Sequence, residues 1–209
     1  MDITVIFFIG LILACFGVIP PGLLNMTAAK ISLKEGASRG VVFSIGVCVV
    51  VCVQTYIGAI FARYLSHHPD TIDVLKRVAL IIFILITVYF LIVARQQPKT
   101  QMVTHVKSKH SRFFHGMLLS SLNVFPIPYQ AYMTVTLASF GWLNFKQTNI
   151  MSYVAGSAMG TFVMLYVYIF FFDKIKDKAF TSQKNMNYCI GSITGLIAIL
   201  TLINILKDM

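Results

Sequence analysis

The chain has 209 residues, of which 57% are apolar and only 11% charged, and its mean hydropathy is +0.80. Soluble domains carry about a quarter charged residues, so the composition argues against a soluble enzyme or a nucleic-acid-binding domain despite a net charge of +10. It is that of an integral membrane protein with little soluble mass, and the fold class is all-α.

A membrane-crossing helix needs about 20 mostly apolar residues. Six stretches without an acidic or basic residue meet that need: 3–29, 41–62, 78–94, 113–145, 147–172 and 186–206. They predict six transmembrane helices in a single domain, 1–209, with three spans in residues 1–95, a polar loop at 95–112 and three spans in 113–209. The N-terminus has Asp2 in place of a basic region and no small-residue cleavage site, so the first stretch is expected to stay as span one.

Six spans place alternate connectors on one side. That side receives Lys30, Lys34 and Arg39, then Arg95, Lys99, Lys107, Lys109 and Arg112, then Lys174, Lys176, Lys178 and Lys184. The other side receives Arg63, Lys76, Arg77, Lys146 and Lys207. Basic connectors stay in the cytoplasm, so both termini are expected outside, with the basic loops against anionic lipid rather than nucleic acid. Cys15, Cys48, Cys52 and Cys189 fall inside spans and cannot form a loop disulfide framework. His67, His68, His105, His110 and His115 lack a compact chelating spacing. No metal site and no cofactor is expected.

The informative residues interrupt spans one and four. Span one holds Gly17-Val-Ile-Pro20-Pro21-Gly22-Leu-Leu-Asn25, and span four holds Asn123-Val-Phe-Pro126-Ile-Pro128-Tyr129-Gln130. Each proline removes a backbone donor and obstructs the carbonyl one turn earlier, and freed carbonyls at membrane depth are tolerated only where protein or a cavity covers them. The two spans are first in their halves. Aligning Pro20 with Pro126 sets Gly17 against Asn123, and an odd number of spans per half inverts the second half. Interrupted segments at matching positions of inverted repeats mark a transporter site near the midplane.

Pro21-Gly22, followed by Gly36-x-x-Arg39-Gly40 and Gly46, resembles the signature of the LysE-type exporters of amino acids and related solutes. The 123–128 region is similar to that family's asparagine-proline motif, and length, span number and basic central loop agree across nearly the whole chain. The resemblance implies secondary active efflux through the bacterial inner membrane, commonly driven by the proton gradient. The sequence departs from the family pattern at Leu23, where Pro-Gly-Pro would end, at Val50 and Val51, where a glycine and an acid are common, and between Asn123 and Pro126, which are three apart. No carboxylate lies within a predicted span. A cationic cargo would lack a counter-charge there, which favours a zwitterion held by helix ends and by neutral side chains. Asn25, Gln54, Asn123 and Gln130 are the expected hydrogen-bonding residues, Tyr129 and Tyr132 are expected to shape the cavity, and Pro20, Pro21, Gly22, Pro126 and Pro128 form its backbone breaks.

Gly156-Ser-Ala-Met-Gly160 and Gly191-Ser-Ile-Thr-Gly195 are GxxxG patterns, expected to pack helices within the chain or in a homodimer. Tyr153, Tyr166, Tyr168, Tyr188 and Trp142 are expected in interfacial belts. An enzyme would need a clustered nucleophile, base or metal set, and none is visible. A metal-cation efflux protein and a non-transporting scaffold or channel are the alternatives to an exporter.

Overall fold

A computed structural model describes residues 2–19, 22–68, 80–81, 84–85, 87–93 and 108–175, with 192, 195, 198–199 and 202–203. Among them are six α-helices and no strand: α1 (Ile3–Val18), α2 (Leu23–Glu35), α3 (Ala37–Ser66), α4 (Lys109–Leu122), α5 (Pro126–Ser139) and α6 (Gln147–Ile175). Tyr89–Val93 form a π-helical segment. Helices satisfy their backbone groups within one segment, as an apolar solvent demands. The chain divides into two compact units, one of Met1–Ser66 and His105–Ile175, the other of His67–Thr104 and Lys176–Met209. All six α-helices belong to the first unit.

Within that unit, Ala37–Ser66 and Gln147–Phe171 are each long and apolar enough to cross a membrane. The apolar stretch at 3–29 is two helices: α1 ends at Val18, α2 resumes at Leu23, and their axes are bent by 81°. Pro20 and Pro21 lie outside the described residues. The stretch at 113–145 also holds two helices, α4 and α5, of 14 residues each, separated by 123–125. At 1.5 Å per residue each is roughly 21 Å long, short of the bilayer's hydrocarbon thickness of about 30 Å. Pro126 opens α5 at a position where a missing N–H removes no helical bond.

Two boundaries differ from those drawn by charge. Residues 30–40 are not a loop: α2 runs to Glu35, α3 starts at Ala37, and Gly36 at φ 96° is the turn between them. Only glycine takes that left-handed conformation without strain. Likewise α4 begins at Lys109 rather than near 113. Ser108 caps it by accepting from the Ser111 N–H at 3.2 Å, and the Arg112 charge is met by Glu35. Charge marked where the apolar surface ends, which is a different thing from where the helix ends.

Glycine governs how the helices meet. A Cβ at Gly156 would overlap the Phe7 carbonyl oxygen, one at Gly160 that of Leu11, and one at Gly10 would lie 2.5 Å from that of Tyr153. These contacts draw α1 and α6 together in parallel, so the first GxxxG pattern packs within the chain. On the other side of the unit, a Cβ at Gly46 would overlap the Phe113 carbonyl and one at Gly116 that of Phe43. A Cβ at Gly58 would be 2.9 Å from the Ile127 carbonyl. The helix α3 therefore runs beside α4 and then α5 in one direction. Ile150 of α6 packs with Ala59, and Leu165 with Phe43 and Val47, so α6 runs opposite to α3. Without a hydrophobic force between helices in lipid, such close backbone approach supplies much of the cohesion.

Candidate functional site

Each helix interruption bares carbonyl oxygens, and a buried carbonyl left unpaired costs about 1–3 kcal/mol. Side-chain amides cover them at both breaks. At the first, Asn25 Nδ2 donates to the Val18 carbonyl at 2.7 Å, and the Tyr168 hydroxyl donates to that of Ile19 at 2.6 Å. At the second, Gln54 Nε2 on α3 donates to the carbonyls of Ser120 and Asn123 at 3.0 and 2.8 Å. Gln54 Oε1 is buried and has no hydrogen-bond partner among the described residues. The Gln54 amide thus serves the break with its donor end and keeps an acceptor unused.

The two breaks approach each other through Tyr129. This residue, in the first turn of α5, lays its ring over Gly17 of α1, where a Cβ would sit 3.1 Å from the ring carbons. Its hydroxyl donates to the Leu13 carbonyl at 2.9 Å. The neighbouring Gln130 is buried in a polar chain that crosses three helices. The Tyr153 hydroxyl donates to Gln130 Oε1 at 2.7 Å, Gln130 Nε2 donates to Ser157 Oγ at 2.7 Å, and Ser157 Oγ lies 3.3 Å from Thr55 Oγ1. These groups are nearly or wholly shielded from solvent. Beyond them, Ile6, Leu137, Leu143 and Tyr153 form an apolar cluster.

The residues singled out in the sequence are thus distributed over two adjoining groups. Gln54 meets the Asn123 backbone, Tyr129 meets Gly17, and Gln130 joins Ser157 and Tyr153. Asn25 belongs with Tyr168, and Gly22 precedes α2 in an extended conformation. Asn123 and Pro126 are half-buried, whereas Pro128 is exposed. Tyr132, expected in the cavity, is 66% exposed. Tyr153 and Tyr168 are not belt residues, because both are buried with their hydroxyls engaged by the polar groups just described. Trp142 and Tyr166 are exposed, and Tyr188 lies outside the described residues.

Three contributors escaped the sequence reading. Ser157 was hidden inside a GxxxG pattern, where it was read only as small. Thr55 follows Gln54 directly, and two polar residues in an apolar span were the available signal. The third is an ion pair. Arg112 Nε donates to Glu35 Oε2 at 2.8 Å and Arg112 Nη2 to Glu35 Oε1, with both side chains buried. Arg39 donates to the Glu35 carbonyl at 2.8 Å, and His115 Nδ1 lies 3.2 Å from Arg112 Nη1.

No curated protein and no solved structure matches the chain. The family described as LysE type translocator matches residues 15–204. That range takes in the polar groups at both helix breaks, the reciprocal glycine contacts of α3 with α4, and the Glu35–Arg112 pair. The chain belongs to the LysE type translocator family.

Proposed function

We propose that the chain is a secondary active exporter of amino acids or similar small zwitterionic metabolites, driven by an ion gradient across the bacterial inner membrane. The observation that carries this reading is the convergence of two interrupted helical tracks at Gly17 and Tyr129. The packing supports two inverted three-helix repeats. The alignment that sets Pro20 against Pro126 also sets Phe7, Gly10 and Leu11 against Phe113, Gly116 and Met117. The partners on α6 and α3 correspond in the same way: Tyr153, Gly156 and Ser157 answer to Phe43, Gly46 and Val47. Parallel travel of α3 and α4 also puts Ser66 and Lys109 at opposite ends of this unit.

The polar groups suit a zwitterion. Amides, hydroxyls and half-helix ends offer donors to a carboxylate and acceptors to an ammonium, with no net charge of their own. Asn25, Gln54, Asn123, Tyr129 and Gln130 are the contacts we assign to the cargo, with Pro20, Pro21, Gly22, Pro126 and Pro128 shaping the breaks. Purified protein in proteoliposomes, screened over amino acids with and without a pH gradient, tests the reading. Saturable, gradient-dependent movement of at least one zwitterionic amino acid is expected. Movement of a divalent cation with no amino acid transported would replace it with the cation-efflux alternative. For the transported amino acid, a Gln54→Leu variant should raise KM roughly threefold to tenfold, the worth of one neutral hydrogen bond of about 0.5–1.5 kcal/mol.

Orientation is proposed from the basic connectors. The segment carrying Ser108 lies in the cytoplasm, against anionic lipid, and both termini lie outside. A Ser108→Cys variant lacking the native cysteines should resist an impermeant maleimide in intact cells, while a cysteine added at the C-terminus reacts. The opposite pattern would reverse the assignment.

A further inference from the structure

We propose that the Glu35–Arg112 ion pair is a latch that closes one end of the translocation path and must open in each transport cycle. The inference rests on the translocator reading above, and its test does not need the cargo.

The placement of the two residues leads to it. Glu35 is the last residue of α2, whose other end abuts the first break at Gly22. Arg112 lies in the first turn of α4, whose other end abuts the second break at Asn123. The pair therefore ties together the far ends of two short helices, each joined at its near end to an interruption. A helix end next to a break can swing as a lever; tied at the tip, it cannot. The opposite halves, α1 and α5, meet at a different place through Gly17–Tyr129 and the Ile6–Leu137 cluster. Each broken track thus gives one half to the latched end and one half to the apolar end, an arrangement in which the ends can open in turn.

The chemistry suits a latch better than a permanent clamp. Burying two charges carries a desolvation penalty that their attraction only partly repays, and well-packed apolar residues often hold helices as firmly. An ion pair has a property an apolar contact lacks: its members are well solvated when apart. Water entering the opened end stabilises the separated Glu35 and Arg112, so the open state is accessible. Arg39, bonded to the Glu35 carbonyl, and His115, beside Arg112 Nη1, orient the two partners in the closed state.

The test reads access to the interior. Ser120 on α4, fully buried between Arg112 and the second break, is replaced by cysteine in a variant without Cys15, Cys48, Cys52 and Cys189. Reaction with an impermeant maleimide is timed in right-side-out and inside-out vesicles. Glu35→Gln or Arg112→Gln should speed labelling by at least roughly tenfold from one side only. The exchanged pair Glu35→Arg with Arg112→Glu should restore protection. Faster labelling from both sides would mean that the pair merely holds the bundle together, and would overturn the proposal. Unchanged labelling from both sides would overturn it too. Loss of amino-acid transport in the screen above, with one-sided labelling intact, would remove the cargo assignment and leave the latch standing.

Discussion

Leucine at Gly46 is expected to drive α4 off α3 and to remove most of the folded protein from the membrane. The added Cβ would already overlap the Phe113 carbonyl oxygen, which is backbone and cannot rotate aside. Overpacking against side chains costs about 1–3 kcal/mol, and a backbone obstacle puts Gly46→Leu at or above the top of that range. Gly116→Leu should act alike through the Phe43 carbonyl, and Gly156→Leu through that of Phe7. Thermal unfolding of detergent-solubilised protein, followed by size-exclusion chromatography, reads the effect. A Gly46→Leu variant that elutes as the parent does and unfolds within a few degrees of it would show that α3 and α4 do not pack this closely.

The second large effect is expected at Gln130. Replacing it with leucine removes an acceptor from Tyr153 and a donor from Ser157, both buried. The Tyr153 hydroxyl left without its partner costs about 1–3 kcal/mol, whereas Ser157 keeps Thr55, so Gln130→Leu should destabilise the unit by roughly 1–3 kcal/mol. Tyr153→Phe removes the stranded hydroxyl, so the double variant should be more stable than the sum of the single losses predicts. A coupling of roughly 1 kcal/mol or more is the size found for directly bonded partners. Strict additivity would mean that the two side chains do not share a bond in the folded protein.

Charge-free runs made the helical class legible in the sequence, and the Pro, Gly and Asn motifs made the family resemblance legible. Among the described residues, one helix ends at Val18 and the next starts at Leu23, and 123–125 lie between α4 and α5. The turn at Gly36 was not legible, because Lys30, Lys34 and Arg39 read as connector when they only mark the end of apolar surface. Glu35 was passed over for the same reason. Its burial comes from pairing with Arg112, a residue far off in the chain, and no local pattern announces such a partner. Tyr153 and Tyr168 illustrate the limit from the other side. A tyrosine near a span end looks the same in sequence whether it faces a headgroup or donates to a buried amide or carbonyl oxygen, and only the approach of a second helix separates the two. Gln54, Asn25 and Gln130 stood out because a neutral amide is rare in an apolar run, yet which atoms they bond follows entirely from tertiary packing.

The covering of bared carbonyls by Asn25 and Gln54 has a consequence for how the breaks behave over time. A carbonyl bonded within a helix is released only by unwinding a turn, which breaks several bonds together. A carbonyl held by an amide on a rotatable stem is released when one side chain changes rotamer. On the proposed exporter reading, the oxygens of Val18, Ser120 and Asn123 would be handed from protein to passing solute and back, one bond at a time, while the helices on either side stay whole. In that sense the interruptions are exchange points, and Gln54, whose single amide oxygen has no hydrogen-bond partner among the described residues, stands at one of them.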